Sequence, residues 1–493
     1  MKPLVINHED YQNFVLEELQ KHYSGGALTL ASSDWPILSK LWFTDLSCVT
    51  TWLSSTYSKK GPPPRDPASL LRSYLLLLFT NPSMGITEWV NMMKRVPLYA
   101  ILSGFQPSDV AGVGTFYDFF SRLWGLDKQN LKPYKQKRKK KRRKKLKKGQ
   151  KQVPKNPGTV RKLVERFFKY GAKKKVLPGD RLFEFFQSQF LNTSAKLGLL
   201  GDLNAIGLAG DGTPLETAVY PRSKPTCNCR AQGIANCNHP RLYSQPDCNS
   251  GWDSSREKYF NGYHLYMIST SDSKYDLPLY PRLQPASRHD SISLVASSIE
   301  FSQRFTLGTV DKMILDAAHD AEAIYKLLIH QNIEPFIDLN TKTKKNFSSN
   351  SDIQISYLGV PICPNGKEMN PNGFDQSQDR LKWRCPLAKG TSISCDNPCS
   401  KAIYGRTFHT FLSDNVRIFT KTPRNSAKWK VIFGRRTSVE RSNKRQKVDY
   451  RLEEGRHRST KMWYIRLYCI MMCQHIDAWY SAICDEPALA TYL

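Results

Sequence analysis

The hydrophobic positions of the chain follow two patterns, and the change falls near residue 200. Before it, apolar residues recur at helical spacing in PPPRDPASLLRSYLLLLFTNP, ITEWVNMMKRVPLYAILSGF and GTFYDFFSRLW, within residues 62–126. Apolar residues three and four positions apart share one helix face, so these segments predict helices between Gly and Pro breaks. Such a unit at the front of a basic protein can bind DNA or be purely structural, and the pattern leaves both open.

After residue 200, short apolar runs alternate with helical segments. The runs NAIGLAGDGTPL, NGYHLYMISTS, LPLYPRLQP, DKMILDAAHD and IEPFIDLN predict five strands, of which the first is expected to end at Asp211 and the fourth at Asp316. ISLVASSIEFSQRF and AEAIYKLLIHQN predict two helices between them, and a further helix carries Glu440. This order favours an α/β fold in which helices pack on the faces of a mixed sheet.

Changes in composition along the chain suggest its division into domains. We expect an N-terminal helical domain over residues 1–130, a basic disordered linker over 131–158 and a helical connector over 159–205. The α/β domain is then expected over 206–345, with a Cys-rich insert at about 225–252, and again over 403–493. A second Cys-rich insertion at 346–402 separates these two parts.

The charge of the chain is strongly positive, at +30 with a sequence pI near 9.6, which favours a polyanionic partner. Residues 132–151 contain fourteen Lys or Arg and no acid. Such a segment cannot bury enough apolar area to become ordered, so we expect a disordered tether. Its cations are expected to bind phosphates, with release of counterions. The alternatives are a merely solvated tether or a segment that only looks like a nuclear-localisation signal.

No apolar stretch is long enough to cross a bilayer, since the longest is SYLLLLF at 73–79. No secretory leader opens the chain, so we expect a cytoplasmic, nucleoid-associated protein without a membrane partner. The twelve Cys are then expected to be reduced thiols or metal ligands rather than disulfides.

Two carboxylates are expected at strand ends, where side chains leave the core of an open sheet. If their strands are neighbours, Asp211 and Asp316 face each other, and their repulsion is relieved by a divalent cation. Hard oxygen ligands suit Mg²⁺ or Mn²⁺. A turn or helix cap would be the simpler explanation for either residue alone.

A third carboxylate, Glu440, stands within the basic stretch FGRRTSVERSNKRQK, residues 433–447. On one continuous helix, Phe433, Arg436, Glu440 and Lys447 share a face. If the helix begins only near Thr437, the first two approach from the preceding loop. The stretch is either a solvated helix with charges four residues apart or a surface where cations hold a nucleic acid and the acid holds a metal.

These residues resemble the DDE transposases of bacterial insertion sequences. The closest group has a Tyr-x2-Arg-x3-Glu-x6-Lys signature, against which the chain has Phe433, Arg436, Glu440 and Lys447 at the same spacing, with Phe in place of Tyr. Further family blocks are similar to GDGTPL at 210–215, NGYHLY at 261–266, SRHDS at 287–291, LDAAHDAEAIYKLL at 315–328 and TFYDFFSRL at 115–123.

The resemblance implies a ribonuclease-H-like catalytic domain with an Asp211, Asp316 and Glu440 triad that binds Mg²⁺ or Mn²⁺. It implies cleavage and strand transfer of double-stranded DNA at element ends, with a homodimer in the synaptic complex. The residues expected to contact DNA are Phe433, Arg436, Arg441, Lys444 and Lys447. His319 is either a proton shuttle or, as we expect, a hydrogen-bonded structural histidine.

Two other functions remain open. A domesticated or inactive relative that only binds DNA would not need all three acids. A zinc-containing nucleic-acid-binding protein of another fold would need the Cys clusters to form the core of a domain.

Two Cys clusters provide candidate zinc ligands, since thiolates and imidazoles in groups of four suit tetrahedral Zn²⁺. The first comprises Cys227, Cys229, Cys237 and His239, with Cys248 nearby. The second comprises Cys363, Cys385, Cys395 and Cys399. The second insertion has few apolar residues, so a metal rather than a core is expected to stabilise it. Cys469, Cys473 and Cys484 are expected in the core on an apolar helix.

Overall fold

The computed structural model describes most of the chain, with gaps in its polar segments. The described residues are 1–26, 28–125, 157–172, 179–220, 232–233, 245, 247–340, 347–348, 352–389, 392–393 and 395–492. The Lys-rich run at 132–151 and the first Cys cluster, Cys227, Cys229, Cys237 and His239, lie outside these residues.

The N-terminal part is helical, as its apolar spacing predicts. Its helices are α1 (His8–Ser24), α2 (Asp34–Phe43), α3 (Cys48–Leu53), α4 (Pro67–Thr80), α5 (Ile86–Arg95), α6 (Pro97–Ser103) and α7 (Val113–Trp124). Helix α4 begins where Asp66 accepts hydrogen bonds from the backbone N–H groups of Ala68 and Ser69, and Pro67 stands at its first position. Almost all of α4 is buried, so it is the central helix of this part.

Three short helices connect this part to a central sheet. They are α8 (Thr159–Tyr170), α9 (Asp180–Phe186) and α10 (Asn192–Lys196), the last two joined by a π-helical turn at Gln187–Leu191. The sheet strands are β1 (Ile206–Glu216), β2 (Asn249–Asp253), β3 (Lys258–Thr270), β4 (Pro278–Pro285), β5 (Val310–Leu315) and β6 (Glu334–Ile337).

The sheet is mixed, as the order of elements predicts. Its strand order is β2-β3-β1-β5-β6, and β4 also pairs with β3. Strand β1 runs antiparallel to β3 and parallel to β5, and β5 runs parallel to β6. The α/β class with a mixed sheet is therefore confirmed, and β2 is a strand that the sequence pattern did not predict.

Strand β1 does not end at Asp211, and that expectation is wrong. The strand continues to Glu216 because β3 is long enough to pair with it throughout, from Leu208 opposite Thr270 to Glu216 opposite Gly262. Asp211 therefore lies in the middle of β1. Asp316, by contrast, directly follows the last residue of β5, as expected.

Helices pack against this sheet and complete the core. They are α11 (Asp290–Arg304), α12 (Glu322–His330), α13 (Ala427–Gly434), α14 (Thr437–Val448) and α15 (Thr460–Asp485). Helix α11 contacts β1, β3 and β4, and α14 contacts β1 and β3. Helix α15 contacts both α4 and β4, so the N-terminal helices and the sheet share one continuous hydrophobic core.

The Cys residues of α15 differ in their environment. Cys469 and Cys473 are fully buried, which confirms their predicted place in the core. Cys484 is exposed, so its predicted burial is wrong, because it lies in the last turn of α15, where the helix leaves the core. Among the described helices, none is both long and apolar enough to cross a bilayer.

The second Cys-rich insertion folds as small antiparallel sheets. Its strands are β7 (Phe347–Ser348), β8 (Gln354–Ile355), β9 (Pro361–Ile362), β10 (Asn370–Asp375), β11 (Arg380–Arg384), β12 (Ala388–Lys389) and β13 (Ser392–Ile393). They are joined by β14 (Thr407–Phe411), which lies beyond the predicted end of the insertion at residue 402 and pairs with β11. They pair as β7-β8-β9, β10-β11-β14 and β12-β13. The expectation that this region lacks a core is wrong, since a small separate core forms from Ile353, Val360, Cys363, Met369, Leu381 and Trp383.

Candidate active site

Two carboxylates lie near each other where the parallel strands β1 and β5 are neighbours: Asp211 is within β1, and Asp316 directly follows β5. Ala209 of β1 is opposite Ile314 of β5, and this register extended by two residues brings Asp211 beside Asp316. The Asp316 carboxylate also caps the 3₁₀ turn Ala317–His319 by accepting a hydrogen bond from the N–H of Ala318 at 3.2 Å. The structure therefore brings together the first two acids that the sequence predicts.

The electrostatics of the two carboxylates differ. Burial, followed by the negative charges of Asp316 and Asp290, raises the pKa of Asp211 to about 7. Burial alone would also raise the pKa of Asp316, but the hydrogen bond and positive charge of His319 hold it below its ordinary value. Near neutral pH, Asp316 is therefore ionised, whereas Asp211 is only partly ionised.

His319 holds Asp316 in place. Its Nδ1 lies 2.5 Å from Asp316 Oδ1, its Nε2 lies 3.0 Å from the hydroxyl of Tyr266, and its side chain is fully buried. Both ring nitrogens are thus occupied by protein groups. This agrees with the expected hydrogen-bonded structural histidine, and the hydrogen bond of His319 fixes the orientation of the Asp316 carboxylate.

The glycines of the GDG sequence make room for the neighbours of Asp211. A Cβ atom at Gly212 would lie 1.8 Å from Asp290 Oδ1, and one at Gly210 would lie 2.7 Å from the Tyr266 hydroxyl. Any larger residue would displace these side chains. Asp211 therefore stands between two positions where only glycine lets the surrounding polar groups approach the strand.

A third carboxylate belongs to this group and was not predicted as a site residue. Asp290, the first residue of α11, lies 3.0 Å from Nε2 of His264 on β3. Burial would raise the pKa of Asp290, but its pairing with His264 holds that pKa below its ordinary value. The signal was present in the sequence blocks NGYHLY and SRHDS, which contain His264 and Asp290, but nothing in their spacing showed that the two meet.

Glu440 lies on α14 and is paired with a cation. Its Oε1 is 2.5 Å from Nη1 of Arg436, and 44% of its side chain is exposed. The pKa of Asp211 is raised by burial and by the charges of Asp316 and Asp290, and the hydrogen bond from His319 lowers that of Asp316. Considering only residues that the structure describes, no three His, Cys, Asp or Glu side chains are grouped so as to hold a metal ion.

The signature residues around Glu440 come from two helices. Helix α14 begins at Thr437, and Phe433 belongs to α13 rather than to a loop, packed beside Trp429. Lys447 donates a hydrogen bond to the carbonyl of Pro214 on β1 and lies 3.5 Å from Glu453, and burial lowers its pKa. Its contacts join α14 to β1.

Arg441 and Lys444 of α14 are both exposed but differ in their contacts. Arg441 forms two hydrogen bonds with the Asp276 carboxylate at 2.6 and 2.7 Å. An exposed Lys can neutralise a phosphate directly, whereas Arg441 would have to exchange its carboxylate partner. The DNA contacts of all five signature and basic residues stay predictions.

The second Cys cluster consists of free thiols in different surroundings, and Cys363 belongs to the small hydrophobic core. Asn365 donates from Nδ2 to the Cys395 sulfur at 2.9 Å, and a Cβ atom at Gly405 would lie 3.2 Å from the Cys385 sulfur. Cys363 and Cys385 are buried, while Cys395 and Cys399 are partly exposed. Outside this cluster, buried Cys248 donates to the carbonyl of Gln245 at 3.3 Å. Zinc binding stays a prediction for both clusters.

Zinc content of the purified protein should be at least about one equivalent if Cys363, Cys385, Cys395 and Cys399 bind the metal. Replacing Cys395 with Ser should then remove one equivalent, because a tetrahedral site rarely survives loss of a thiolate. Elemental analysis measures both values. Cys484→Ser is the matched control, and a zinc content below one equivalent in the wild type would mean that these are ordinary thiols.

Replacing Asp211 with Asn should stabilise the metal-free protein in a pH-dependent way. The folded-state pKa near 7 exceeds the unfolded value near 4, so wild-type stability falls as pH rises between these values. Asn does not titrate, so the free energy of unfolding of the variant relative to wild type should rise by roughly 2–4 kcal/mol from pH 4 to pH 8.

Urea unfolding in EDTA at both pH values measures this difference. Mg²⁺ should reduce it at pH 8, because a cation favours the ionised form of Asp211. A difference that does not change with pH would show that Asp211 ionises like a free carboxylate.

Comparison with known proteins gives no family assignment. The chain matches no family model, and no curated protein is significantly similar to it.

Proposed function

We propose that this protein is a DDE transposase that hydrolyses phosphodiester bonds at insertion-sequence ends and joins the resulting strands to target DNA. The observation that carries the proposal is the placement of Asp211, between two glycines of β1 that admit polar neighbours, near Asp316 at the end of the parallel strand β5. In this interpretation the mixed sheet and its helices form a ribonuclease-H-like catalytic domain.

The donor set of the site fits a divalent cation. The electrostatic repulsion between the two carboxylates is relieved when a hard cation such as Mg²⁺ or Mn²⁺ binds between them. When bound, such ions activate an attacking water or 3′-hydroxyl and stabilise the leaving oxygen of an in-line displacement. Asp211 and Asp316 would hold the cation, and Glu440 is the proposed third ligand.

The surrounding residues of the chain would prepare these ligands. His319 fixes the orientation of Asp316, with its own ring held by Tyr266. Asp290, paired with His264, adds negative charge beside Asp211 and so strengthens the attraction of the site for a cation. Burial of these groups makes their electrostatic effects larger than they would be in water.

Glu440 and Arg436 would change partners when DNA arrives. Their ion pair is partly exposed, so a phosphate of the DNA backbone can compete for the guanidinium of Arg436. The released Glu440 carboxylate would then be available to the cation. This exchange would couple completion of the metal site to DNA binding.

The basic surface of the protein supports the choice of substrate. The fourteen cations of residues 132–151 and the exposed Lys444 would bind phosphates of double-stranded DNA without regard to sequence. Pairing of two element ends would require a homodimer. The protein would then work on the nucleoid of the cytoplasm.

The proposal is tested by incubating the purified protein with DNA that carries the sequences flanking its gene. With Mg²⁺, it should release strands with 3′-hydroxyl ends and join them to a target plasmid, and with EDTA it should do neither. DNA binding without cleavage in Mg²⁺ or Mn²⁺ would favour the alternative, a domesticated or inactive relative that only binds DNA.

A further inference from the structure

A cavity in the N-terminal helical part is lined by a buried cation. The cavity has a volume of about 280 Å³ and lies between α1, α4 and the segment after α6. Its lining includes Arg72 and Ser69 of α4, the rings of Tyr11, Phe14 and Phe105, and Gly104. It therefore combines apolar walls with a guanidinium group.

Arg72 is the unusual member of this lining. Its residue surface is only 1% exposed, and its Nε and Nη2 atoms have no hydrogen-bond partner in the described part of the chain. Its Cζ lies 3.7 Å from the centroid of the Tyr11 ring, so the guanidinium plane is covered on one side. A buried charge without an acceptor is costly, and an anion that fits the edge of the group removes that cost.

The neighbouring carboxylates are already used by other groups. Asp66 accepts hydrogen bonds from the N–H and the hydroxyl of Ser69 at 2.9 and 2.8 Å. Asp109 accepts from Arg65, with Nη1 of that residue 2.7 Å from its Oδ2. Arg72 is therefore the cation in the cavity lining whose Nε and Nη2 atoms have no acceptor among the described residues.

We propose that this cavity binds a small organic anion. Its carboxylate or phosphate would pair with the free N–H groups of Arg72, which match two oxygens in one plane. The apolar part of this anion, about the size of one aromatic ring, would lie against Tyr11, Phe14 and Phe105. The anionic group can belong to a free small molecule or to a nucleic acid, and the proposal does not depend on the transposase function.

The test uses thermal unfolding of the full-length protein with benzoate, phenyl phosphate, inorganic phosphate and the neutral benzamide. Benzoate or phenyl phosphate at saturation should raise the Tm by roughly 2–5 °C, and benzamide should not. In R72M the Tm without ligand should rise, because an unpaired buried charge is removed. Benzoate and phenyl phosphate should bind this variant at least about tenfold more weakly.

Arg466 provides the matched control. It is also 1% exposed, but its guanidinium donates to the carbonyls of Pro82, Tyr450, Arg451 and Leu452. R466M should therefore lower the Tm by leaving those carbonyls unpaired, while retaining the response to benzoate. A short DNA duplex that displaces benzoate from the wild type would identify a nucleic-acid phosphate as the source, and failure to displace it would identify a free anion.

Three results would overturn the proposal. The first is that no anion raises the Tm of the wild type, and the second is that anions raise it equally in R72M. The third is that R72M loses stability as R466M does, which would mean that Arg72 is satisfied within the protein.

Discussion

Replacing Asp316 with Asn should reduce Mg²⁺-dependent DNA cleavage by roughly a thousandfold or more, while DNA affinity changes by less than about twofold. Asn keeps the size of the side chain and can still accept the hydrogen bond from Ala318. It removes the negative charge that a divalent cation requires. Cleavage rates and DNA affinity, measured on the same preparation, separate chemistry from binding.

Asp272 offers a matched control at the other end of the same strands. Its carboxylate lies 3.0 Å from Lys312 on β5 and accepts a hydrogen bond from the N–H of Gly207 on β1. Asp272→Asn should therefore leave the cleavage rate unchanged. Full activity in Asp316→Asn would rule out this aspartate as a metal ligand.

Replacing residues 132–151 with an uncharged Gly/Ser segment of equal length should weaken non-specific DNA binding by at least about tenfold at low salt. The replacement removes fourteen cations. Each neutralised phosphate contributes about 0.9 to the slope of log affinity against log salt concentration. That slope should therefore become smaller by several units.

The fold should survive this replacement, because the segment lies between the end of α7 at Trp124 and the start of α8 at Thr159. Circular dichroism and thermal unfolding provide the control for folding. A salt dependence equal to that of the wild type would show that the segment does not contact DNA.

The sequence predicted the elements that have a strong local pattern. The apolar run before Asp316 gave β5 and the position of its carboxylate, and the second and third predicted strands are β3 and β4. The end of β1 was misplaced because its length depends on pairing with β3, which is not visible in the residues of β1 alone. The predicted burial of Cys484 was wrong for a similar reason: the apolar pattern of α15 does not show where the elements packed against that helix end.

The site was only partly predictable, because its geometry depends on contacts between distant residues. The role of Gly212 becomes clear only when Asp290 and His264 are seen against it. Likewise, Tyr266 and His319 meet across 53 positions of sequence. The motifs named the residues that carry charge, and the four-residue spacing of Arg436 and Glu440 allowed the ion pair that the structure has. The spacing alone could not decide between this pair and metal binding by Glu440.

The central claim is that Asp211 and Asp316 share a divalent cation, and anomalous diffraction from crystals soaked in Mn²⁺ tests it most directly. We expect an anomalous peak between these two residues, with carboxylate oxygens of both at roughly 2.0–2.3 Å from the metal. Crystals of Asp316→Asn should lack that peak. A fully occupied Mn²⁺ site elsewhere, with none between Asp211 and Asp316 at saturating metal, would contradict the account.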